Sequence, residues 1–104
     1  MRFPITLYKV DPIQTRFAEY CEVAYASDSK AGGFMLLERH GWWENDKKKS
    51  HFSCSVLEEH IKSEGEASAA MDQRVKHLFS TGWVYKFTTE FDHDTGTLVP
   101  KRIP

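Results

Sequence analysis

Apolar and polar residues alternate along most of this chain, and an alternation with a period of two predicts a half-buried strand. From Phe3 to Val10, the residues Phe3, Ile5 and Leu7, with Lys9, stand against Pro4, Thr6 and Tyr8. This predicts a first strand, with Pro4 suited to an edge or a strand start. Asp11-Pro12 predicts a turn. Arg16 to Ala26 is dense in aromatic and β-branched residues but keeps no strict period, which predicts a second strand with a bulge or burial on both faces. Ser27 to Gly33 is a loop by composition. Phe34 to Trp43 opens apolar on both faces, as a central strand covered on both sides would. Glu44 to Lys49 reads as a polar hairpin connection. Ser50 to Leu57 follows as an antiparallel strand, with Phe52, Cys54 and Val56 on one face and His51, Ser53 and Ser55 on the other.

The period then changes. Ser63-Glu64-Gly65-Glu66 has the Ser-x-x-Glu spacing of a capping box, and its glutamates favour the positive end of a helix. Ala67, Ala70, Met71, Arg74, Val75, Leu78 and Phe79 recur at helical spacing and make one packing stripe. Lys76 and His77 suit the last turn and Gly82 the terminator. Trp83 to Phe91 alternates again, with Trp83, Tyr85, Phe87, Thr89 and Phe91 on one face, and predicts a fifth strand. Asp92 to Gly96 predicts a turn, Thr97 to Val99 a short strand, and residues 100–104 a loose tail. The expected fold is α+β: an antiparallel sheet of about five strands with one amphipathic helix packed on one face. The opposite face is expected to stay free.

The 104 residues hold one domain, residues 1–104, with a core over about 3–92. Fourteen aromatic residues among so few are first a means of filling a small core. No apolar run approaches the length of a membrane span, and the N-terminus has no signal-peptide pattern. Cys21 and Cys54 form no framework and are expected as reduced thiols, so the expected compartment is cytoplasmic. A net charge of −1 weighs against a dedicated nucleic-acid binder, whose affinity comes mostly from neutralising phosphates.

Leu7-Tyr8-Lys9-Val10-Asp11-Pro12 has a Leu-x-x-x-Asp-Pro opening, followed by Arg16-Phe17. Gly32-Gly33-Phe34-Met35-Leu36-Leu37-Glu38-Arg39-His40-Gly41 comes next, then Glu64-Gly65-Glu66-Ala67 at the helix start and Gly82-Trp83. In that order and spacing, about three quarters of the chain resembles the WGR domain, named for its Trp-Gly-Arg tripeptide, and in particular short bacterial stand-alone members. The family has Gly-Gly-Trp-x-Leu-x-Arg-x-Trp-Gly where this chain has residues 32–41, and a closing Gly-Tyr where it has Gly82-Trp83. The tripeptide here is His40-Gly41-Trp42, and Glu38 stands where the family has Arg. WGR domains of poly(ADP-ribose) polymerases help recognise broken DNA ends, so the resemblance implies DNA or other nucleic acid as a partner. The path from Ser50 to Ser63 is longer than in the short members, which predicts an extra turn around Glu58-Glu59-His60-Ile61.

The densest candidate surface is Arg39, His40, Gly41, Trp42 and Trp43. On a strand, His40 and Trp42 share one face and Arg39 and Trp43 the other, so either face offers an aromatic beside a ring or a cation. Lys47, Lys48 and Lys49 are the basic run that would meet phosphates from a hairpin tip. His51-x-x-Cys54 puts its side chains on opposite faces, and a zinc site would need Cys21, His40, His60, His77 or His93 to converge. No metal or cofactor is expected. There is no phosphate loop or nucleophile elbow, and Asp92, His93 and Asp94 fall in a turn that favours Asp for its own hydrogen bonding. The expectation is a non-enzymatic binding module: nucleic-acid binding by resemblance, or protein interaction and self-association through an exposed aromatic sheet face, or a structural remnant with no retained site.

Overall fold

The alternating segments do form a meander. A computed structural model of the chain describes residues 2–10, 18–44, 47–94 and 96–101, with the backbone alone for residues 44, 47–52, 97 and 98. Strands β1 (Ile5–Val10), β2 (Ala18–Ser27), β3 (Phe34–Glu44) and β4 (Lys47–Ile61) lie side by side in that order, each antiparallel to the next. Helix α1 (Glu64–Ser80) follows, then a separate two-stranded hairpin of β5 (Thr88–Asp92) and β6 (Thr97–Lys101). The α+β class holds, with four strands in the main sheet rather than about five. The expected Asp11-Pro12 turn and the Arg16-Phe17 start of the second strand lie outside the described residues.

The helix begins where the capping spacing places it. Ser63 is the N-cap, its hydroxyl accepting from the Glu66 N–H at 3.2 Å. Ala67, Met71, Val75 and Leu78 are the buried stripe. They meet Leu7, Cys21, Val23, Tyr25, Leu36, Ile61 and Trp83 in the main core, on what is called here the inner face. Phe79, though on the predicted stripe, is 39% exposed and packs edge-on against Tyr85 at 4.6 Å. Thr81 caps the C-terminus, and Gly82 at φ 99 turns the chain back toward the sheet.

The loop over residues 28–33 is pinned by Asp28, whose carboxylate accepts from the Lys30 and Ala31 N–H groups, while Ser27, expected in the loop, ends β2. Gly32 and Gly33 both sit at φ 76. A Cβ on Gly33 would lie 2.5 Å from the Ile61 carbonyl oxygen, whereas one on Gly32 would meet nothing within 4 Å. Only the second glycine is demanded by close packing as well as by backbone angle.

Strands β3 and β4 differ in length, 11 residues against 15, over one shared ladder. Four register shifts absorb the surplus, so β4 carries extra residues at bulges. The extra turn expected around Glu58–Ile61 does not form. The added residues stay in the strand, and His60 takes φ 59 to accommodate one of them. The polar connection expected from Glu44 to Lys49 is likewise shorter, because β4 already begins at Lys47.

The strand expected from Trp83 to Phe91 is broken in two. Trp83 is buried on the inner face, whereas Phe87 packs on the outer face, so the chain must round the edge of β1 between them. It does so at Val84, which exchanges backbone hydrogen bonds of 2.7 and 2.9 Å with Tyr8. Phe87 then lies edge-on to Tyr8 (4.9 Å between centroids) and to Trp43 (4.7 Å), over Val10 and Ala18. The outer face is therefore not free along its whole length, as had been expected. Pro100 and Lys101, placed in the tail by sequence, belong to β6, and Pro100 is fully buried.

Candidate functional site

Strand parity and register decide the fate of each residue singled out in the sequence. Cys21 pairs with His40 and Ala18 with Trp43, so β3 alternates between the inner face (Leu36, Glu38, His40) and the outer face (Leu37, Arg39, Trp43). Trp43 is 5% exposed beneath Phe87, and Gly41 is buried opposite Tyr20. His40 packs edge-on to Trp83 at 5.6 Å. Trp42 is 42% exposed on the strand's other side from Trp43. Arg39 alone of the five reaches well into solvent on the outer face. The cluster is thus dispersed rather than assembled. Lys47, Lys48 and Lys49 open β4, with Lys47 paired to Glu44 at the turn end of the β3–β4 hairpin, and only their backbone is described.

Under the helix the inner face carries a polar group that no local motif announced. Glu38 is 5% exposed and receives both donors of a fork from Arg74: Nε to Oε1 at 2.8 Å and Nη2 to Oε2 at 3.0 Å. His40 Nε2 stands 3.2 Å from Oε2, and the Cys21 thiol donates to the same carboxylate. Burial works to raise the Glu38 pKa, but the hydrogen bonds from Arg74 and then His40 outweigh it and hold the group below the usual carboxylate range. Burial, reinforced by the charge of Glu38, pushes the Cys21 thiol well up, so it is protonated and inert as a nucleophile. A signal for this cluster was present in the sequence. Arg74 falls in the middle of the helix's apolar stripe, where a cation is tolerated only with a buried partner. Which partner it meets follows from the strand register, and sequence spacing does not reveal that.

On the outer face, the half beyond the Phe87 contact remains uncovered. Pro4, Glu22, Ala24, Tyr25, Ala26, Leu37 and Arg39 line a shallow hollow of about 160 Å³. Val56, 48% exposed, pairs with Leu37, and Cys54, a free exposed thiol, pairs with Arg39. Among the described residues, Ala24, Ala26, Leu37 and Val56 make the open half largely aliphatic, and the aromatics Tyr8, Trp43 and Phe87 lie in the covered half.

Comparisons with protein-family models, with curated proteins and with solved structures give no match. The functional reading therefore rests on the geometry above. No helix among the described residues is long and apolar enough to cross a membrane.

Proposed function

We propose that this chain is a non-catalytic interaction module that associates with a second copy of itself through the uncovered half of the outer sheet face. The observation that carries this is the aliphatic patch of Ala24, Ala26, Leu37 and Val56 around the hollow, left open while the rest of that face is packed. The outer edge of β4 is a weaker candidate, because bulges bend a strand away from the straight ladder that an added strand needs. The patch also suits a two-fold contact. Arg39 and Glu22 are register partners lining the same hollow, so a rotated copy brings each opposite its counterpart's opposite charge. Apolar patches on monomers typically reach about 300–600 Å², at or below the low end of stable interfaces, so the expected dimer is weak and transient.

Sedimentation equilibrium from micromolar to millimolar concentration tests this. The expected result is reversible dimerisation that Leu37→Glu abolishes without loss of the folded circular-dichroism spectrum. A wild-type chain that stays monomeric throughout that range overturns the reading.

A second reading, nucleic-acid binding, follows from the WGR resemblance and is favoured by one observation, the solvent-exposed guanidinium of Arg39 on the same open half. Titration of labelled duplex and single-stranded DNA at two salt concentrations separates the two. Binding at low salt that weakens steeply with added salt, and with Arg39→Ala, supports DNA; its absence leaves the protein-interaction reading alone.

A further inference from the structure

We infer that Cys21, Glu38 and His40 form a binding site for one divalent transition-metal ion, of which zinc and cobalt(II) are the fitting class. The sequence alone gave no metal site, because the His and Cys residues are scattered. The fold brings two of them together: Cys21 and His40 are direct register partners on β2 and β3, and Glu38 lies two residues from His40 on the same face. A thiol sulfur, a carboxylate oxygen and a ring nitrogen from these residues all lie within 4.8 Å of one another.

The spacing suits a tetrahedral ion. With metal–nitrogen and metal–oxygen bonds of about 2.0–2.1 Å, two ligands at a tetrahedral angle stand about 3.3–3.4 Å apart, and a sulfur at about 2.3 Å stands about 3.6 Å from either. His40 Nε2 and Glu38 Oε2 are already 3.2 Å apart. The sulfur needs to close by about 1.2 Å at most, a change within reach of a χ1 adjustment. A set of thiolate, imidazole and carboxylate selects zinc or cobalt over calcium or magnesium, which prefer oxygen alone.

Arg74 has a place in the same scheme. Its bond from Nε to Oε1 orients the carboxylate as outer-shell partners of metal ligands do, while the second arm of the fork, from Nη2 to Oε2, lets go as Oε2 turns to the ion. The balance of protons is simple. The charge of the ion drives the Cys21 thiol proton off to solvent, and the His40 proton now on Nε2, facing Glu38, moves through solvent to Nδ1, so that Nε2 presents its lone pair. The fourth position falls to water, entering past His40, whose side chain is 23% exposed.

The test is cobalt(II) titration of the intact chain after treatment with a chelator. The expected result is visible d–d absorption of tetrahedral intensity with a near-ultraviolet sulfur-to-cobalt band, saturating at one ion per chain and lost on adding zinc. Cys21→Ser should remove the sulfur band, and His40→Gln should weaken binding at least tenfold. Cys54→Ser, on the opposite face, should change neither. His40 is partly exposed, so its variant remains informative if Cys21→Ser fails to fold. The inference is overturned if no sulfur band forms at one equivalent, if the band follows Cys54 rather than Cys21, or if His40→Gln binds as wild type does.

Discussion

Arg74→Met removes a guanidinium from a buried pair while keeping most of the stem's volume. Glu38 then holds a carboxylate in a site where its side chain is 7% exposed, with His40 and the Cys21 thiol as its remaining partners. Breaking a buried pair in this way costs about 3–5 kcal/mol. Arg74 is itself 31% exposed, so solvent already screens part of the interaction, and a loss of about 3 kcal/mol is expected. A domain of this size has a total stability of about 5–15 kcal/mol, so the variant still folds. With a urea slope of about 1–2 kcal/mol per molar, the unfolding midpoint falls by about 2 M. Tryptophan fluorescence reports the transition, since Trp43 and Trp83 are 5% and 7% exposed in the fold. The dependence on pH has a defined sign. Burial opposes ionisation of Glu38, but Arg74 and His40 depress its native pKa, so the wild-type pair contributes fully above the ordinary carboxylate value of about 4.3. That contribution is lost as pH falls through the lowered native value. In the variant, burial meets less opposition and the pKa rises, so protonation relieves the cost and the gap to wild type narrows on acidification. Replacing both partners, Glu38→Leu with Arg74→Met, should return stability to within about 1 kcal/mol of wild type. A single variant within about 0.5 kcal/mol of wild type at neutral pH, or a gap that does not narrow in acid, refutes the account.

Three further substitutions test the packing. Phe87→Ala should uncover Trp43 and cost about 2 kcal/mol, less than a fully buried ring because Phe87 is only half-buried; its check is a red shift of native tryptophan emission, and an unmoved spectrum contradicts the outer-face contact. Gly32→Ala and Gly33→Ala share a φ of 76, so both carry the left-handed penalty of about 1 kcal/mol, but only Gly33→Ala also forces the Ile61 carbonyl aside. Thermal unfolding should place Gly33→Ala at about 3 kcal/mol and Gly32→Ala near 1, and equal losses would show that the clash carries no weight.

What could be read in advance follows from which signals are local. The helix, its Ser63 cap and its stripe were legible because all lie within a few turns of chain. Strand β1 was legible from alternation, and β2 and β3 from their aromatic, β-branched and apolar runs between turn residues, all of which are local properties. The length of β4 was not: each bulge resets which residues point inward, so alternation from Ser50 to Leu57 describes only a part of a strand that runs from Lys47 to Ile61. The strand expected at Trp83–Phe91 failed for a different reason. Trp83 and Phe87 share one parity, yet they rest on opposite faces of another sheet, a tertiary demand that no alternation records. The candidate surface at Arg39–Trp43 was chosen for density of aromatic and charged residues, and density does not say which of them the fold will consume. Glu38, passed over as a departure from a familiar pattern, became the centre of the buried polar cluster because Cys21, His40 and Arg74 come to it from three separate elements.

The Tyr8–Val84 clasp joins positions 76 residues apart. On the ribosome, β1 emerges long before its outer neighbour exists, and it waits with that flank bare until the helix has been made and docked. Closing so long a loop is costly in entropy and gains nothing until both ends are in place, so this contact belongs among the last to form and the first to open. A chain caught before that closure offers neighbouring chains the unguarded side of β1, and at high synthesis rates that is where mispairing between copies should begin.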